Sequence, residues 1–140
     1  MRQEMEIYEY AIIRLVPKVE REEFINIGVV IFCKRKNYLA MKYSLDRKRL
    51  HAFTNQVNLQ EVANYLESWE RIINGDPGGG IIALEAPSYR FRWVTAPKST
   101  IIQCSKVHPG LTAQPEKALE KIFNEYVSIS NNDKPKRKTS

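Results

Sequence analysis

The sequence predicts an α+β domain in which a mainly antiparallel sheet of about five strands is packed with three helices. The first observation behind this prediction is the order of the apolar segments, β-β-β-α-α-β-β-α. The second is the length of the links, because only the polar residues 34–37 separate two strand-like segments, as in a hairpin. A doubly wound parallel sheet would need a long crossover after each strand and is therefore disfavoured.

The first predicted strand runs from Glu6 to Pro17, since this segment is rich in Tyr, Ile and Val and ends at a proline. Both of its faces are largely apolar, so we expect it to be central in the sheet. Arg14 is the exception. We expect its guanidinium to be at least half buried and paired, because an uncompensated buried charge costs several kcal/mol. The nearest acidic side chains are Glu20, Glu22 and Glu23.

Four more strands are predicted further along the chain. The apolar segments 27–33 and 38–43 flank the hairpin turn. The segment 89–94 alternates, with aromatic residues on one face and Arg90 and Arg92 on the other, which is typical of a half-buried strand with a basic outer face. The last predicted strand covers residues 100–104.

The three helices are predicted from capping residues and apolar spacing. Asp46 suits the start of a short helix. Asn58 is a stronger N-cap, because Glu61 follows three residues later as in a capping box. That helix should end before Gly75, since glycine readily adopts the left-handed conformation after a helix. Pro115 opens the last helix, a position that proline favours.

Composition limits the possible classes of protein. The chain has 140 residues, of which 43% are hydrophobic and 27% charged, as in one soluble domain. The longest apolar run, 27–33, is much shorter than the ~20 residues that cross a membrane. Two cysteines are too few for a disulfide framework. We therefore expect a single domain over residues 1–130, located in the cytoplasm, with no membrane contact, no metal and no cofactor.

Half of the net charge of +6 lies at the C-terminal end of the chain. Residues 131–140 contain four basic side chains, one acidic side chain and no apolar anchor, which gives +3. This composition predicts a disordered basic tail. Such a tail either solubilises the domain or tethers nucleic acid electrostatically, and any polyanion binding of the second kind should be weak and depend on these residues.

Two polar segments are candidates for a binding site, and each also has a purely structural explanation as a local turn. The first leads into the second strand through Asn26, a residue that tolerates unusual backbone angles. The second holds Lys98 between two strands, where a lysine and turn amides could bind an anion. Because both segments precede a strand, we expect them to form a common rim at one end of the sheet. The candidate binding residues are Arg14, Arg21, Glu23, Asn26, Lys98, Ser99, Thr100, Gln103 and His108.

The sequence contains no clear catalytic constellation. Residues 78–80 are glycines, but the lysine and hydroxyl of a phosphate-binding loop do not follow them. Cys104 and His108 could form a nucleophile pair only within hydrogen-bond reach. Glu23 and His108 could act as base and acid only if folding brings them together. We therefore assign no catalytic residue.

Four stretches carry a resemblance to a known family. They read YAIIRLVP at 10–17, EFINIGVVIF at 23–32, FRWVTAPKSTIIQ at 91–103 and VHPGLT at 107–112. Over roughly residues 8–128 the chain resembles the bacterial domain-of-unknown-function family numbered three thousand and thirty-seven. Lys98 stands where similar proteins are expected to carry Arg, and the basic tail lies outside the pattern.

The resemblance implies no established activity. Members of the family look, by gene neighbourhood, like companions of kinase-like proteins of the bacterial persistence-toxin type, which implies a small partner or regulator. The leading hypothesis is a non-enzymatic binding or regulatory module that acts with a protein partner, a kinase-like protein being one candidate. A nucleic-acid-binding accessory protein is the first alternative, and an enzyme acting on a phosphorylated substrate is the second.

Overall fold

Five antiparallel strands form the single sheet of the structure, a computed structural model that describes residues 4–17 and 23–128. The strands pair in the order β3-β2-β1-β4, and β5 pairs with the same edge of β1 as β4 does. This arrangement confirms the predicted α+β class and the antiparallel sheet. The strands are β1 (Glu6–Leu15), β2 (Ile25–Cys33), β3 (Tyr38–Tyr43), β4 (Ile102–Cys104) and β5 (His108–Thr112).

Helices cover the sheet on both sides. Within the described residues there are four α-helices rather than the predicted three, and two short 3-10 helices, Pro77–Gly79 and Ile82–Leu84, connect the second to the third. The first three pack on one face, around a core that includes Leu50, Trp69 and Phe91. The fourth packs on the other face, where it covers β2 and β3. The α-helices are α1 (Arg47–Phe53), α2 (Leu59–Ile73), α3 (Pro87–Thr95) and α4 (Pro115–Tyr126).

β1 is the central strand, as its two apolar faces predict. It pairs with β2 along one edge and with β4 and β5 along the other. Alternate side chains enter different cores: Ile13 is fully buried beneath α1–α3, whereas Ile12 lies on the α4 side. Arg14 has the same parity as Ile12 and therefore also lies on the α4 side of the sheet.

The prediction of a strand over residues 89–94 is wrong, because this segment forms helix α3. Pro87 occupies the first turn of the helix, and Phe91 and Val94 are buried on one helical face. The predicted basic strand face of Arg90 and Arg92 is therefore not formed. The Arg90 guanidinium donates to the carbonyl oxygens of Ile72 and Ile73 at 3.1 and 2.7 Å, at the C-terminal end of α2. An alternating segment of six residues is short enough to fit the periodicity of either a strand or a helix, and packing decides between the two structures.

The predicted helix caps are confirmed. The Asn58 side chain accepts hydrogen bonds from the backbone N–H groups of Gln60 and Glu61, and Asp46 accepts one from Arg49. Gly75 follows α2 with a φ of 69°, in the left-handed region predicted for it.

β5 was not predicted, because its sequence contains a proline and a glycine in the middle of a strand. Pro109 is tolerated since β5 lies at the edge of the sheet, where a missing N–H costs little. Gly110 is opposite Tyr8, and a Cβ atom at position 110 would collide with the Tyr8 ring. The glycine therefore lets the ring cross over the backbone of the neighbouring strand.

Several predictions fall on residues outside the described ranges. These are the basic tail at 131–140, the candidate residue Arg21, and the pairing of Arg14 with Glu20 or Glu22. Within the described part of the chain, no helix has the length and apolar character needed to span a bilayer.

Candidate binding site

A β-bulge in β2 determines which way Asn26 points. The register steps from Ile13 opposite Gly28 to Arg14 opposite Asn26, so Ile27 has no cross-strand partner of its own. The extra residue turns Ile27 into the larger core and places Asn26 on the α4 side, next to Arg14. In an unbroken strand the alternation would send Asn26 to the opposite face.

Three of the candidate residues form a row across the sheet on its α4 side. Asn26 and Gln103 lie opposite Arg14 on either side, in β2 and β4. Adjacent strands are about 4.8 Å apart, so the row spans roughly 10 Å. We call Asn26, Arg14 and Gln103 the polar row. The starts of β2 and β4 thus lie at the same end of the sheet, although the rim predicted there comprised Asn26 and residues 98–100 rather than Arg14 and Gln103.

The Arg14 side chain is largely buried, as expected. Its guanidinium lies over the Phe24 ring at 4.0 Å from the ring centre, a cation–π contact. Burial lowers the pKa of Arg14, an effect that the nearby Cys104 partly opposes. Among the described residues, the buried Nε atom of Arg14 has no hydrogen-bond partner.

Asn26 fastens the end of helix α4 to the sheet. Its Nδ2 atom donates to the carbonyl oxygen of Tyr126 at 3.1 Å. The neighbouring carbonyl of Val127 accepts a hydrogen bond of 2.9 Å from the Arg49 guanidinium, which comes from α1. Two of the carbonyls left unpaired at the end of a helix are thus satisfied by side chains from distant parts of the chain. The buried Asn26 Oδ1 atom has no partner in the described residues.

Lys98 lies on the other side of the sheet and does not share the rim expected for it. Its ammonium donates to the carbonyl oxygens of Trp93, Val94 and Ala96 at 2.5, 3.2 and 3.2 Å, at the C-terminal end of α3. The same ammonium also lies over the rings of Trp69 and Trp93. Burial lowers the pKa of Lys98. Its donors are therefore used within the protein, which disfavours its predicted use for an external anion.

The remaining candidates are distributed along the sheet. Ser99 is exposed, and the Thr100 hydroxyl donates to the carbonyl of Ile102 at 2.8 Å within their own turn. His108 lies on the α4 side opposite Tyr10, four residues along β1 from Arg14, or roughly 14 Å. Glu23 is exposed and precedes β2 at the far end from His108.

The outer part of the α4 side carries an aromatic surface at the border of helix α4, where Tyr8 and Tyr10 are partly buried. The rings of Tyr8 and Tyr10 have their centres 5.9 Å apart, and those of Tyr10 and His108 are 5.5 Å apart. Tyr126, at the end of α4, borders the same area with 47% of its surface exposed. We call Tyr8, Tyr10, His108 and Tyr126, together with the polar row, the open face.

The open face carries charges of both signs. Arg14 lies at one end, and Glu125 of α4 lies near the hydroxyls of Tyr8 and Tyr10. Burial and then this carboxylate raise the pKa of Tyr8, and burial is also the main cause of the raised pKa of Tyr10. Both tyrosines consequently remain neutral hydrogen-bonding groups at physiological pH.

Ser105 lies between β4 and β5 and is hydrogen-bonded to β1. Its buried hydroxyl accepts a hydrogen bond of 2.8 Å from the backbone N–H of Ile12, and its own N–H donates to the Ile12 carbonyl. We expect Ser105→Ala to lower the free energy of unfolding by about 1–3 kcal/mol, because the Ile12 N–H becomes a buried donor without an acceptor. Urea denaturation measures this, with the exposed Ser99→Ala as control. Equal midpoints for the two variants would contradict the structural role of Ser105.

The possible catalytic pairs are not formed. The Cys104 thiol lies on the α1–α3 side, near the carbonyl of Val94, whereas His108 faces the α4 side. Burial raises the pKa of Cys104 to about 12, so its thiol is not ionised near neutral pH. Glu23 and His108 are separated by more than the length of the Arg14–Tyr10 segment, beyond proton-transfer distance. Within residues 4–17 and 23–128, no three His, Cys, Asp or Glu side chains converge as metal ligands.

Four residues in or beside the open face were not among the candidates: Tyr8, Tyr10, Phe24 and Tyr126. Tyr8 and Tyr10 share the face of Arg14 by simple strand alternation, which could have marked them as neighbours of the site. Phe24 gave no such signal, because its contact with Arg14 depends on how the chain enters β2.

Comparison with known proteins identifies a family for this chain but no relative with a known activity. No curated protein matches the sequence. No solved structure matches it either. The family model of DUF3037, described as a protein of unknown function, matches residues 10–127, a range that includes all nine candidate binding residues. The chain therefore belongs to the DUF3037 family.

Proposed function

We propose that this protein is a non-enzymatic binding module of the bacterial cytoplasm, and that it docks a protein partner on the open face. The observation that carries the proposal is the cluster of partly exposed aromatic rings on the α4 side, with Tyr8, Tyr10 and His108 in contact and Tyr126 beside Tyr10. Tyrosine and arginine are enriched at the energetic centres of protein interfaces. The free thiols of Cys33 and Cys104 agree with a reducing compartment.

The charges of the open face favour a protein over a nucleic acid. A phosphate chain that lay along Tyr8 and Tyr10 would meet the carboxylate of Glu125. The basic strand face that favoured nucleic acid in the sequence is replaced by a helix whose Arg90 is used to cap α2. Mixed charge together with aromatic residues is instead typical of a protein-binding surface.

The enzymatic alternative has little support among the described residues. Its candidate acid and base, Glu23 and His108, are far apart, and Lys98 is occupied by backbone carbonyls. A kinase-like protein remains the candidate partner that the family resemblance implies, and the open face is the surface on which we expect it to bind.

Affinity capture from an extract of the source bacterium, followed by mass spectrometry, tests this function. We expect the wild type to retain a protein, and Tyr126→Ser combined with His108→Ser to weaken its binding at least about tenfold, since an aromatic hot-spot residue contributes more than 1–2 kcal/mol. Tyr89→Ser is a matched control on α3, because Tyr89 and Tyr126 have exposed fractions of 49% and 47%.

Two results would contradict the proposal. One is equal loss of the partner in the Tyr89→Ser control, which would move the interface to the α3 side. The other is capture that disappears after nuclease treatment of the extract, which would support the nucleic-acid alternative instead.

A further inference from the structure

We propose that Arg14 and Asn26 together recognise an amide group of the partner, either a peptide unit or an Asn or Gln side chain. This inference rests on the proposed protein-binding function and names the chemistry of one contact within it. Its basis is a donor and an acceptor that lie side by side on the open face and are both left unused.

The two unused atoms are the Nε of Arg14, a donor, and the Oδ1 of Asn26, an acceptor. Both are buried and lack a hydrogen-bond partner among the described residues. The two residues are direct cross-strand partners on the same face, so their side chains start about 5 Å apart. Native structures rarely leave buried polar groups without a hydrogen bond, so each of these two atoms indicates a missing partner.

The orientation of the Asn26 amide decides which ligand chemistry fits. Its Nδ2 atom must face the Tyr126 carbonyl, to which it donates at 3.1 Å, because exchanging the two amide atoms would set oxygen against oxygen. The free atom of Asn26 is therefore an acceptor. A carboxylate or phosphate offers acceptors alone and would be repelled by Oδ1, whereas an amide offers a carbonyl to Arg14 and an N–H to Asn26.

Phe24 covers the Arg14 guanidinium and must move before a ligand can reach this member of the pair. Its ring lies over the Arg14 guanidinium at 4.0 Å, yet 44% of the Phe24 surface is exposed and the ring belongs to neither hydrophobic core. Displacing it exchanges a partly exposed cation–π contact for hydrogen bonds to a buried donor and acceptor.

The position of the pair suits an extended segment of a partner chain. Arg14 and Tyr10 face the same side of β1, roughly 14 Å apart. About four residues of extended chain cover this distance. A segment that lies along β1 can thus contact the aromatic rings at one end and place an amide at Arg14 and Asn26 at the other.

NMR titration of the full-length protein tests the assignment, with the Arg14 Nε–Hε resonance as the readout. The probes are N-methylacetamide, sodium acetate and uridine, applied to the wild type and to Phe24→Ala. We expect N-methylacetamide to shift the Arg14 resonance to saturation, and to bind roughly tenfold more tightly when Phe24 is absent, because the ring no longer competes. Acetate at the same ionic strength should leave the resonance unmoved.

The variants separate this contact from general effects. Arg14→Lys keeps the positive charge but removes the Nε donor, and we expect it to abolish the shift that N-methylacetamide causes at the Asn26 side-chain amide. The wild-type titration decides the question if Phe24→Ala does not fold.

Three outcomes would overturn the amide assignment. An equal or larger shift with acetate would identify an anion site, a shift with uridine alone would identify a nucleobase site, and no shift with any probe would leave the pair purely structural. Failure of the proposed function is recognised separately, because it appears as partner capture that is insensitive to Tyr126→Ser and His108→Ser.

Discussion

Replacing Lys98 with glutamate is expected to lower the free energy of unfolding by about 3 kcal/mol, since several carbonyl oxygens lose their donor and each buried polar group left unsatisfied costs about 1–3 kcal/mol. The Lys98 ammonium satisfies three carbonyls at the C-terminal end of α3. A carboxylate in its place would face those oxygens and the negative end of the helix dipole. Chemical denaturation of the purified protein measures the change.

Two matched variants show whether the loss of stability depends on the charge of residue 98 and on its position. Lys98→Arg retains the positive charge and a donor group, so it should cost less than half as much as Lys98→Glu. Lys106→Glu makes the same change at an exposed side chain lining the same cleft, of about 370 Å³, and should alter stability by no more than about 0.5 kcal/mol. If Lys98→Glu were as stable as Lys106→Glu, the ammonium would not be holding the end of α3.

Gly28→Val is expected to destabilise the protein by about 3 kcal/mol, because the substitution overpacks the centre of the sheet. A Cβ atom at position 28 would lie 2.8 Å from the carbonyl oxygen of Lys42 and 2.9 Å from the Cβ of Tyr43, which are both fixed by the β2–β3 pairing. The steric clash can be relieved only if β2 and β3 separate or the bulge at Ile27 shifts. Thermal and urea unfolding both measure the loss.

The control for Gly28→Val is Gly78→Ala, at an exposed turn. There the new Cβ atom would have the Asp76 carboxylate as its nearest neighbour, at 3.3 Å, and this side chain can move by a few tenths of an ångström. We expect a change within about 1 kcal/mol. A wild-type-like Gly28→Val would mean that the bulge adapts freely, and the placement of Asn26 would then need another cause.

Local chemistry explains which elements could be predicted. The β2–β3 hairpin and the Asn58 cap depend on residues within a few positions of one another, and both are confirmed. Helix α3 was missed because its alternating sequence also fits a strand, and only the burial of Phe91 and Val94 against distant segments selects the helix. The sequence of this segment indicates its periodicity but not the surface against which the segment packs.

The same difference between local and distant contacts explains which parts of the candidate site could be predicted. The polar row was within reach of prediction, since the sequence indicates that Asn26 and Thr100 each open a strand. The face on which each side chain lies was not, because it depends on one unpaired residue, Ile27, and on the course of α3. Lys98 accordingly appeared to be an anion ligand in the sequence and is a helix cap in the structure.

The central position of β1 has a consequence for how the chain folds during synthesis. Ile12 is translated early, but the serine that binds its N–H follows 93 residues later. Until β4 and β5 emerge, the nascent sheet of β1, β2 and β3 exposes one full unpaired edge of β1. Contacts so distant in sequence slow folding, and an open strand edge invites pairing with other chains. The short C-terminal strands thus complete the domain and also end the interval in which it is prone to aggregate.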